Sequence, residues 1–323
     1  MNILLTGGAG YIGSFMTRTL LNKGDKVTVV DNLKTGHKEV VDDRAALVVG
    51  DLNEKDFVKS LFKDNFDAIL HFAGLISMEE STKNPYLYFQ NNTFAALNLI
   101  EEGVRNQVRN FIFSSTAGVY GDPSIIPIPE DHKTFPTNPY GESKLMVERM
   151  LSWYNKSFGL NFVSLRYFNA AGAALDGSMG EAHKDETHII PLAIRATLSG
   201  SEFNLYGTDY ETEDGTCVRD YVHVLDLVEA HVLALDKLKK ESGAFFYNVG
   251  TGKGFSNREV LNMIKNVSRL DLKIINKNRR PGDAQILIAD PQKAKNELGF
   301  SPKYSDLETI VKTAWKWHSK SEK

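Results

Sequence analysis

Residues 2–22 constrain the fold more than any other stretch. Asn2-Ile3-Leu4-Leu5-Thr6 is an apolar run of strand length, Gly7-Gly8-Ala9-Gly10-Tyr11-Ile12-Gly13 follows at once, and Ser14 to Leu21 reads as a helix. Strand, glycine-rich turn and helix in that order open a dinucleotide site. One glycine makes the tight turn, one lets the backbone approach a pyrophosphate, and one lets helix pack on strand. Free N–H groups and the dipole at the helix start then favour the anion. Two registers fit, Gly8-x-Gly10-x-x-Gly13 and Gly7-x-x-Gly10-x-x-Gly13.

Lys26 to Val30 is a second apolar strand, closed by Asp31 about twenty residues past the glycines, where a carboxylate holds ribose hydroxyls and repels a 2′-phosphate. NAD is favoured over NADP, with Lys34 and Lys38 nearby acting the other way. Ala46-Leu47-Val48-Val49 is the third strand and ends at Gly50-Asp51-Leu52. Asp51 has two roles open to it: reaching the adenine amino group, and capping a helix over 54–63. Asp67 to Gly74 is the fourth strand, and Ala73-Gly74 leaves room for a ligand at its carboxyl end.

The alternation continues with a helix from Pro85 to Gly103 carrying Asn91 and Asn92. A strand Asn110–Phe113 follows, ending in Ser114-Ser115-Thr116. After a loop with five prolines over 122–139 come a helix Tyr140–Phe158 and a strand Asn161–Tyr167. Such alternation predicts a doubly wound α/β fold, a Rossmann-like parallel sheet with helices on both faces. Composition shifts near residue 168. Residues 169–186 are rich in Gly and Ala and suit a loop closing over substrate. Shorter pieces follow: helices at 189–198, 226–239 and 256–267, and extended segments at 203–205 and 245–249. The expected division is 1–168 for the cofactor and 169–323 as a smaller mixed α/β substrate domain. A later segment near 220–250 is expected to return to the first sheet.

The chain has 323 residues, enough for two lobes. Its net charge of -3 gives no broad basic field for nucleic acid. Cys217 is the only cysteine, so no internal disulfide forms and a reducing compartment fits. The first strand starts at the N-terminus, where a signal peptide would lie, and no apolar run has transmembrane length. The expectation is a cytoplasmic protein.

Tyr140-Gly141-Glu142-Ser143-Lys144 is the chemically decisive stretch. Positions i and i+4 share a helix face, and an ammonium beside a phenol favours phenolate. Lowering a tyrosine pKa from about 10 to about 7 takes roughly 4 kcal/mol of preferential stabilisation. That would make Tyr140 a general base usable near neutrality. The hydroxyls of Ser114-Ser115-Thr116 could relay or share the proton.

Thr6-Gly-Gly-Ala-Gly-Tyr-Ile-Gly13, Asp31-Asn32, Phe113-Ser-Ser-Thr-Ala-Gly-Val-Tyr-Gly121, Tyr140-x-x-x-Lys144, Arg166-Tyr-Phe-Asn169 and Thr212-Glu-Asp-Gly-Thr-Cys-Val-Arg-Asp-Tyr-Val-His-Val-x-Asp226 together resemble the extended short-chain dehydrogenase/reductase superfamily. Within it they resemble the UDP-glucose 4-epimerase family, from residue 1 to about residue 315. The resemblance implies Tyr140 as base, Lys144 as its electrostatic partner and nicotinamide-ribose ligand, and Thr116 as the hydroxyl facing the sugar. It implies an NAD surface of Gly7, Gly10, Tyr11, Ile12, Gly13, Asp31, Asn32, Asp51, Leu52, Phe72, Ala73, Gly74, Asn92, Ser114 and Ser115. Tyr167 and Phe168 would line the nicotinamide. Ile76 stands where relatives carry a lysine, which removes one phosphate contact.

For the substrate, Asn169 would touch the nucleotide sugar, and His188 replaces an asparagine that also donates a hydrogen bond. Arg219 and Arg280 are the expected diphosphate ligands, because arginine forks suit phosphate; Arg279 beside them reads as surface. Asp283 would hold the uridine ribose. Leu287 would wall the sugar pocket, where a tyrosine restricts relatives to glucose and galactose and a small residue admits an N-acetyl group. None of the histidine pairs His183/His188 and His223/His231 has helical i, i+4 spacing with a nearby acid, so no metal site is expected.

The implied reaction is interconversion of UDP-glucose and UDP-galactose through a transient 4-keto sugar, in a homodimer. Three other readings compete with it. A nucleotide-sugar dehydratase needs an Asp-Glu pair after the threonine of the fifth strand, and Ala117-Gly118 stand there. A non-catalytic NAD module would not need the Tyr–Lys pair. A 4-epimerase of another UDP sugar, such as UDP-N-acetylglucosamine, UDP-arabinose or UDP-glucuronate, is excluded less well.

Overall fold

Apolar runs without period-two alternation need cover on both faces, and β4 (Ala68–His71) is buried along its whole length. In the computed structural model, which describes residues 1–280 and 282–321, it lies at the centre of a seven-stranded sheet. The other members are β1 (Asn2–Thr6), β2 (Lys26–Asp31), β3 (Ala46–Val49), β5 (Asn110–Thr116), β6 (Asn161–Tyr167) and, later in the chain, β10 (Ala244–Val249). The order is β10-β6-β5-β4-β1-β2-β3, and β3, β2, β1, β4 and β5 pair in parallel. The chain runs outward from β1 to β3, then restarts at β4 on the other side of β1. That reversal is the topological switch point at which ligands bind in such sheets.

The chain forms two units. One comprises 1–121, 134–166 and 228–247; the other comprises 122–133, 167–227 and the residues from 248 onward. The 122–133 part of the proline loop therefore groups with the second unit rather than with the residues around it in sequence. In the first unit Leu4, Ile69, Phe111, Phe113 and Phe162 of the sheet pack with Val58, Leu99, Val147 and Leu151 from the covering helices. Each such side chain contributes roughly 1.5–3 kcal/mol by leaving water. Among the described residues no helix is long and apolar enough to cross a membrane.

Helix α1 (Tyr11–Asn22) follows the glycine turn. Helix α2 (Lys55–Leu61) starts at Glu54 without a side-chain cap bond, so Asp51 does not cap it. The segment expected as one helix from Pro85 is broken by a wide π turn. After α3 (Met78–Lys83) come α4 (Pro85–Tyr88), the turn Phe89–Phe94, and α5 (Ala95–Arg105). The turn carries buried Asn92, whose carboxamide reaches Leu75 and Ser143. Helix α6 (Pro139–Phe158) has Pro139 in its first turn, where the missing N–H costs nothing. Asn138 caps it by accepting from Gly141 N at 2.9 Å.

The second unit begins with β7 (Asn169–Ala171), where only loop was expected. It continues through α7 (Ile189–Ser199), β8 (Glu202–Tyr206), β9 (Val218–His223) and the start of α8 (Val224–Lys240). After β10 come β11 (Gly254–Ser256), α9 (Asn257–Ser268), β12 (Lys273–Lys277), β13 (Ile286–Leu287) and α10 (Leu307–Ser321). β9 pairs with β7, β11 and β13, and β12 pairs with β8. Ile190, Ile194, Leu205, Val260, Ile264, Ile310 and Val311 make its core. β9 is masked in the sequence because it buries Asp220 and His223 among apolar residues, and their partners are remote. Asp220 accepts from the backbone of Thr251, Gly252 and Ala289, and the main-chain N of His223 donates to Ser305.

Candidate active site

The glycine turn is built by close backbone approach. Gly7 has φ +77°, and a Cβ there would lie 2.5 Å from Ala73 N, at the end of β4. A Cβ on Gly13 would lie 2.1 Å from Gly7 O. Any side chain at either position would push β1, β4 and α1 apart. Gly10 is the N-cap of α1 without a side-chain acceptor, so the first-turn N–H groups, Tyr11 and Ile12 included, are suited to an anion. The cradle fits a dinucleotide pyrophosphate.

Asp31 closes β2 at 9 % exposure. Its Oδ2 accepts from Ala9 N at 3.0 Å and its Oδ1 from Leu33 N at 2.9 Å, which aims the carboxylate along the turn with further lone pairs left for ribose hydroxyls. Asp51 is more occupied: its Oδ2 takes Lys34 Nζ at 2.8 Å and Asn32 Nδ2 at 3.3 Å, and its Oδ1 takes Asn53 N at 3.0 Å. Burial raises its carboxyl, but these donors outweigh it and hold it at about 2. Lys34 thus serves Asp51 and is not held out for a 2′-phosphate. Leu52 is buried in the core of the first unit.

At the end of β4, Phe72 packs on the His231 ring at 4.8 Å. Asn92 Oδ1 accepts from Leu75 N at 2.8 Å, and its Nδ2 donates to Leu75 O at 3.0 Å and Ser143 Oγ at 3.1 Å. Asn92 therefore fixes the loop after Phe72, Ala73 and Gly74 to α6. A Cβ on Gly74 would sit 3.3 Å from Lys144 Nζ, which brings this loop against the lysine.

Tyr140 and Lys144 both point inward from α6, at 8 % and 3 % exposure. Lys144 Nζ donates to Ser114 O at 2.9 Å and lies over the Phe113 ring, 5.1 Å from its centre. Burial lowers its ammonium to about 8. Burial also pushes the Tyr140 phenol up, and the hydrogen bond with Thr116 pulls it down. The phenol therefore stands above its ordinary range overall, and the Lys144 charge one turn away is anchored on a main-chain oxygen. Thr116 Oγ1 is itself fixed by Gly118 N at 3.0 Å.

The hydroxyl triplet divides as well. Successive strand residues face opposite ways, and Ser115 Oγ points to Glu148, donating at 2.7 Å. The same Glu148 accepts from Ser164 Oγ and from Arg166 Nε and Nη2, all buried. The Ser115 hydroxyl is thus taken by Glu148. Glu148 escaped sequence reading, although its position four residues past Lys144 on the buried face of α6 was a usable signal.

In the second unit, Phe168 is buried with its N donating to Val249 O at 3.2 Å, Tyr167 precedes it half-buried, and Asn169 is in register with Tyr221. Arg219 on β9 is half-buried; its Nη1 donates to Val218 O at 2.9 Å, and Leu287 on β13 is its register partner. Arg280 lies over the Tyr206 ring at 4.5 Å with Asp283 3.8 Å away. Arg279, read as plain surface, lies over Tyr210 at 4.1 Å and pairs with Asp209.

His188, at the start of α7, was expected to donate to a nucleotide, but its Nδ1 already faces two carboxylates. Glu181 Oε1 is at 2.8 Å and Glu186 Oε1 at 2.9 Å. Burial opposes charge on the ring, yet Glu181 and then Glu186 hold it protonated well above the usual imidazole range. His183 Nε2 also lies 3.2 Å from Glu181 Oε1. No metal site was expected because these histidines lack helical i, i+4 spacing with a nearby acid; the spacing is still absent, but the fold brings Glu181 to both rings.

Residues 3–250 match the NAD dependent epimerase/dehydratase family. A UDP-glucose 4-epimerase from Lacticaseibacillus casei is 45 % identical over 320 residues, 98 % of this chain and 97 % of the relative. The crystal structure of UDP-glucose 4-epimerase from Brucella ovis in complex with NAD is 42 % identical with TM-score 0.94, covering 97 % of each chain. The UDP-Glc/GlcNAc 4-epimerase from Campylobacter jejuni is 41 % identical with TM-score 0.86, covering 99 % of each chain.

Proposed function

The chain belongs to the NAD dependent epimerase/dehydratase family, and because UDP-glucose 4-epimerases match it over its whole length, we infer that it interconverts UDP-glucose and UDP-galactose with NAD as cofactor. The observation that carries the chemistry is that Tyr140 and Lys144, one helical turn apart on α6, are both buried, with Lys144 Nζ fixed on Ser114 O two residues before Thr116. NAD, held by the Gly7–Gly13 turn, Asp31 and Lys144, would supply a reversible hydride acceptor for C4 of the sugar, so that interconversion needs no net oxidation. Tyr140 accepts the O4 proton as hydride leaves and returns it afterwards. Thr116 shares that proton and keeps the phenol aimed. Lys144 supplies positive potential and a ribose contact, its own position set by Ser114 O. Gly7, Gly10 and Gly13 cradle the pyrophosphate, and Asp31 holds the adenosine ribose.

In this reading residues 1–168, with a later stretch near 220–250, bind NAD, and 169–323 bind the UDP sugar through Asn169, Arg219, Arg280 and Asp283. His188 contributes through its ring only once its carboxylate partners yield. We place the enzyme in the cytoplasm, in keeping with the single buried Cys217, and read it as a homodimer. Tyr86, Phe94 and Trp153 are 74 %, 61 % and 65 % exposed, and apolar surface of this kind suits a helix-to-helix interface. Light scattering at micromolar concentration would give twice the chain mass.

The deciding experiment incubates purified protein with UDP-galactose, UDP-glucose and other UDP sugars without added NAD. Conversion of UDP-galactose to UDP-glucose without accumulated NADH is the expected result. Conversion of none of them, with NAD then supplied, refutes the assignment. A broader sugar range is the second reading, favoured by leucine rather than tyrosine at Leu287 and by the UDP-Glc/GlcNAc relative.

A further inference from the structure

Glu181, His183 and His188 present one carboxylate oxygen and two imidazole nitrogens that all lie within 4.8 Å of one another. We propose that these three side chains form a binding site for a divalent transition-metal ion of the zinc type. The inference does not rest on the epimerase reading.

Two of the three separations come close to the edges of a tetrahedral site. Bonds of about 2.0–2.2 Å to nitrogen and oxygen place neighbouring ligand atoms about 3.3–3.5 Å apart. Here Glu181 Oε1 is 3.2 Å from His183 Nε2 and 2.8 Å from His188 Nδ1. Small outward shifts open the space for an ion, and the fourth corner is left for water. The ligands are tethered from behind: Glu181 O accepts from Trp317 Nε1 at 2.9 Å, His183 O from Arg195 Nη2 at 3.5 Å, and His188 begins α7.

A second observation points to a missing cation. Glu186, whose side chain is 1 % exposed, also brings Oε1 to 2.9 Å from His188 Nδ1, and its other oxygen, Oε2, is buried with no hydrogen-bond partner. Two carboxylates therefore converge on a single ring nitrogen. The imidazolium of His188 and the start of α7, which offers about half a positive charge, still leave part of the two formal negatives uncompensated. A bound divalent ion takes the place of the proton on His188 Nδ1, and the released proton goes to solvent. Only an ion with strong affinity for imidazole competes in that exchange. The two-nitrogen, one-oxygen set therefore selects Zn²⁺ or Co²⁺ over Mg²⁺ and Ca²⁺, which prefer all-oxygen shells.

The test is titration of untagged, cofactor-loaded full-length protein with Co²⁺, read by visible d–d absorption, and then displacement by Zn²⁺. One equivalent should give the intense bands of a tetrahedral site, untouched by excess Mg²⁺. His183→Ala changes a partly exposed side chain and should keep the parent melting temperature while losing at least about tenfold in affinity. Glu181→Gln should do the same to binding, and His37→Ala, at an exposed histidine elsewhere, should leave metal binding unchanged. No saturable Co²⁺ band in the parent overturns the proposal, and so does parent-like affinity in His183→Ala.

Discussion

Arg166 Nη2 meets Glu148 Oε2 at 2.6 Å, with the two side chains 7 % and 2 % exposed. Arg166 Nε bonds the same carboxylate, and its Nη1 reaches Tyr120 Oη at 3.0 Å. Glu148 shares the inner face of α6 with Tyr140 and Lys144. The pair thus pins the helix that carries the proposed base to β6, and Ser115 pins it to β5.

Breaking that pair strands a buried charge. Glu148→Gln should destabilise by about 3–5 kcal/mol, seen as a lower urea midpoint. Glu148→Met with Arg166→Met should recover much of the loss, since a matched apolar pair carries no desolvation cost. A Glu148→Gln protein as stable as the parent would show the pair to be inert.

Tyr140→Phe should lower kcat by about 100- to 10,000-fold while NAD stays bound. Thr116→Val separates the partners of the phenol. The Thr116 bond lowers the Tyr140 pKa, so its loss moves the rising limb of the kcat–pH profile to higher pH. Thr116→Ser should leave the limb in place. An unmoved limb in Thr116→Val would return the tuning to Lys144.

Lys144 combines function with an energetic cost. Burial holds its folded pKa at about 8, below its ordinary 10.5, so between those values the unfolded chain binds more protons and stability rises with pH. Below pH 8 the full cost of the buried charge, on the order of 3 kcal/mol, is present. Lys144→Met should therefore raise the melting temperature of the cofactor-free protein at pH 7 while abolishing turnover. The difference should vanish above about pH 10.5.

His71 acts at the other end of the scale. It is fully buried, its Nδ1 lies 2.7 Å from Thr6 Oγ1, and burial, then Lys144, lowers it to about 3 from 6.5. The unfolded chain binds the extra proton between those values, so stability falls as pH drops through 6.5 toward 3. From pH 7 to 5 the loss is about 2 kcal/mol. His71→Gln should remove that part of the pH dependence in urea unfolding, and an unchanged slope would place the acid sensitivity elsewhere.

Leu287 is half-buried beside Arg219. If it walls the sugar pocket, Leu287→Tyr should overpack it for UDP-N-acetylgalactosamine by about 1–3 kcal/mol, roughly 5- to 150-fold in kcat/KM, and spare UDP-galactose. Equal losses on both sugars would make Leu287 an ordinary strand residue.

Local chemistry made much of this protein legible. Strand, Gly7–Gly13 turn and helix are adjacent in sequence because backbone approach to a pyrophosphate is a short-range requirement. Asn2–Thr6 and Asn161–Tyr167 show their strands because burial on both faces demands continuous apolar runs. Tyr140 and Lys144 are one helical turn apart, so their shared face is fixed by helix geometry alone.

Partnership across the chain had to wait for the tertiary structure. Sequence spacing puts Lys144 on the same face as Tyr140, but only packing shows that the ammonium is held by Ser114 O, thirty residues away. Asp220 and His223 hid β9 because their partners lie at 251–252, 289 and 305. Glu186 and Glu181 took His188 before any substrate could. Periodicity reports which face a residue occupies; a buried charge or hydroxyl is satisfied by whichever group the fold brings within about 3 Å, and only the packed chain decides which group that is.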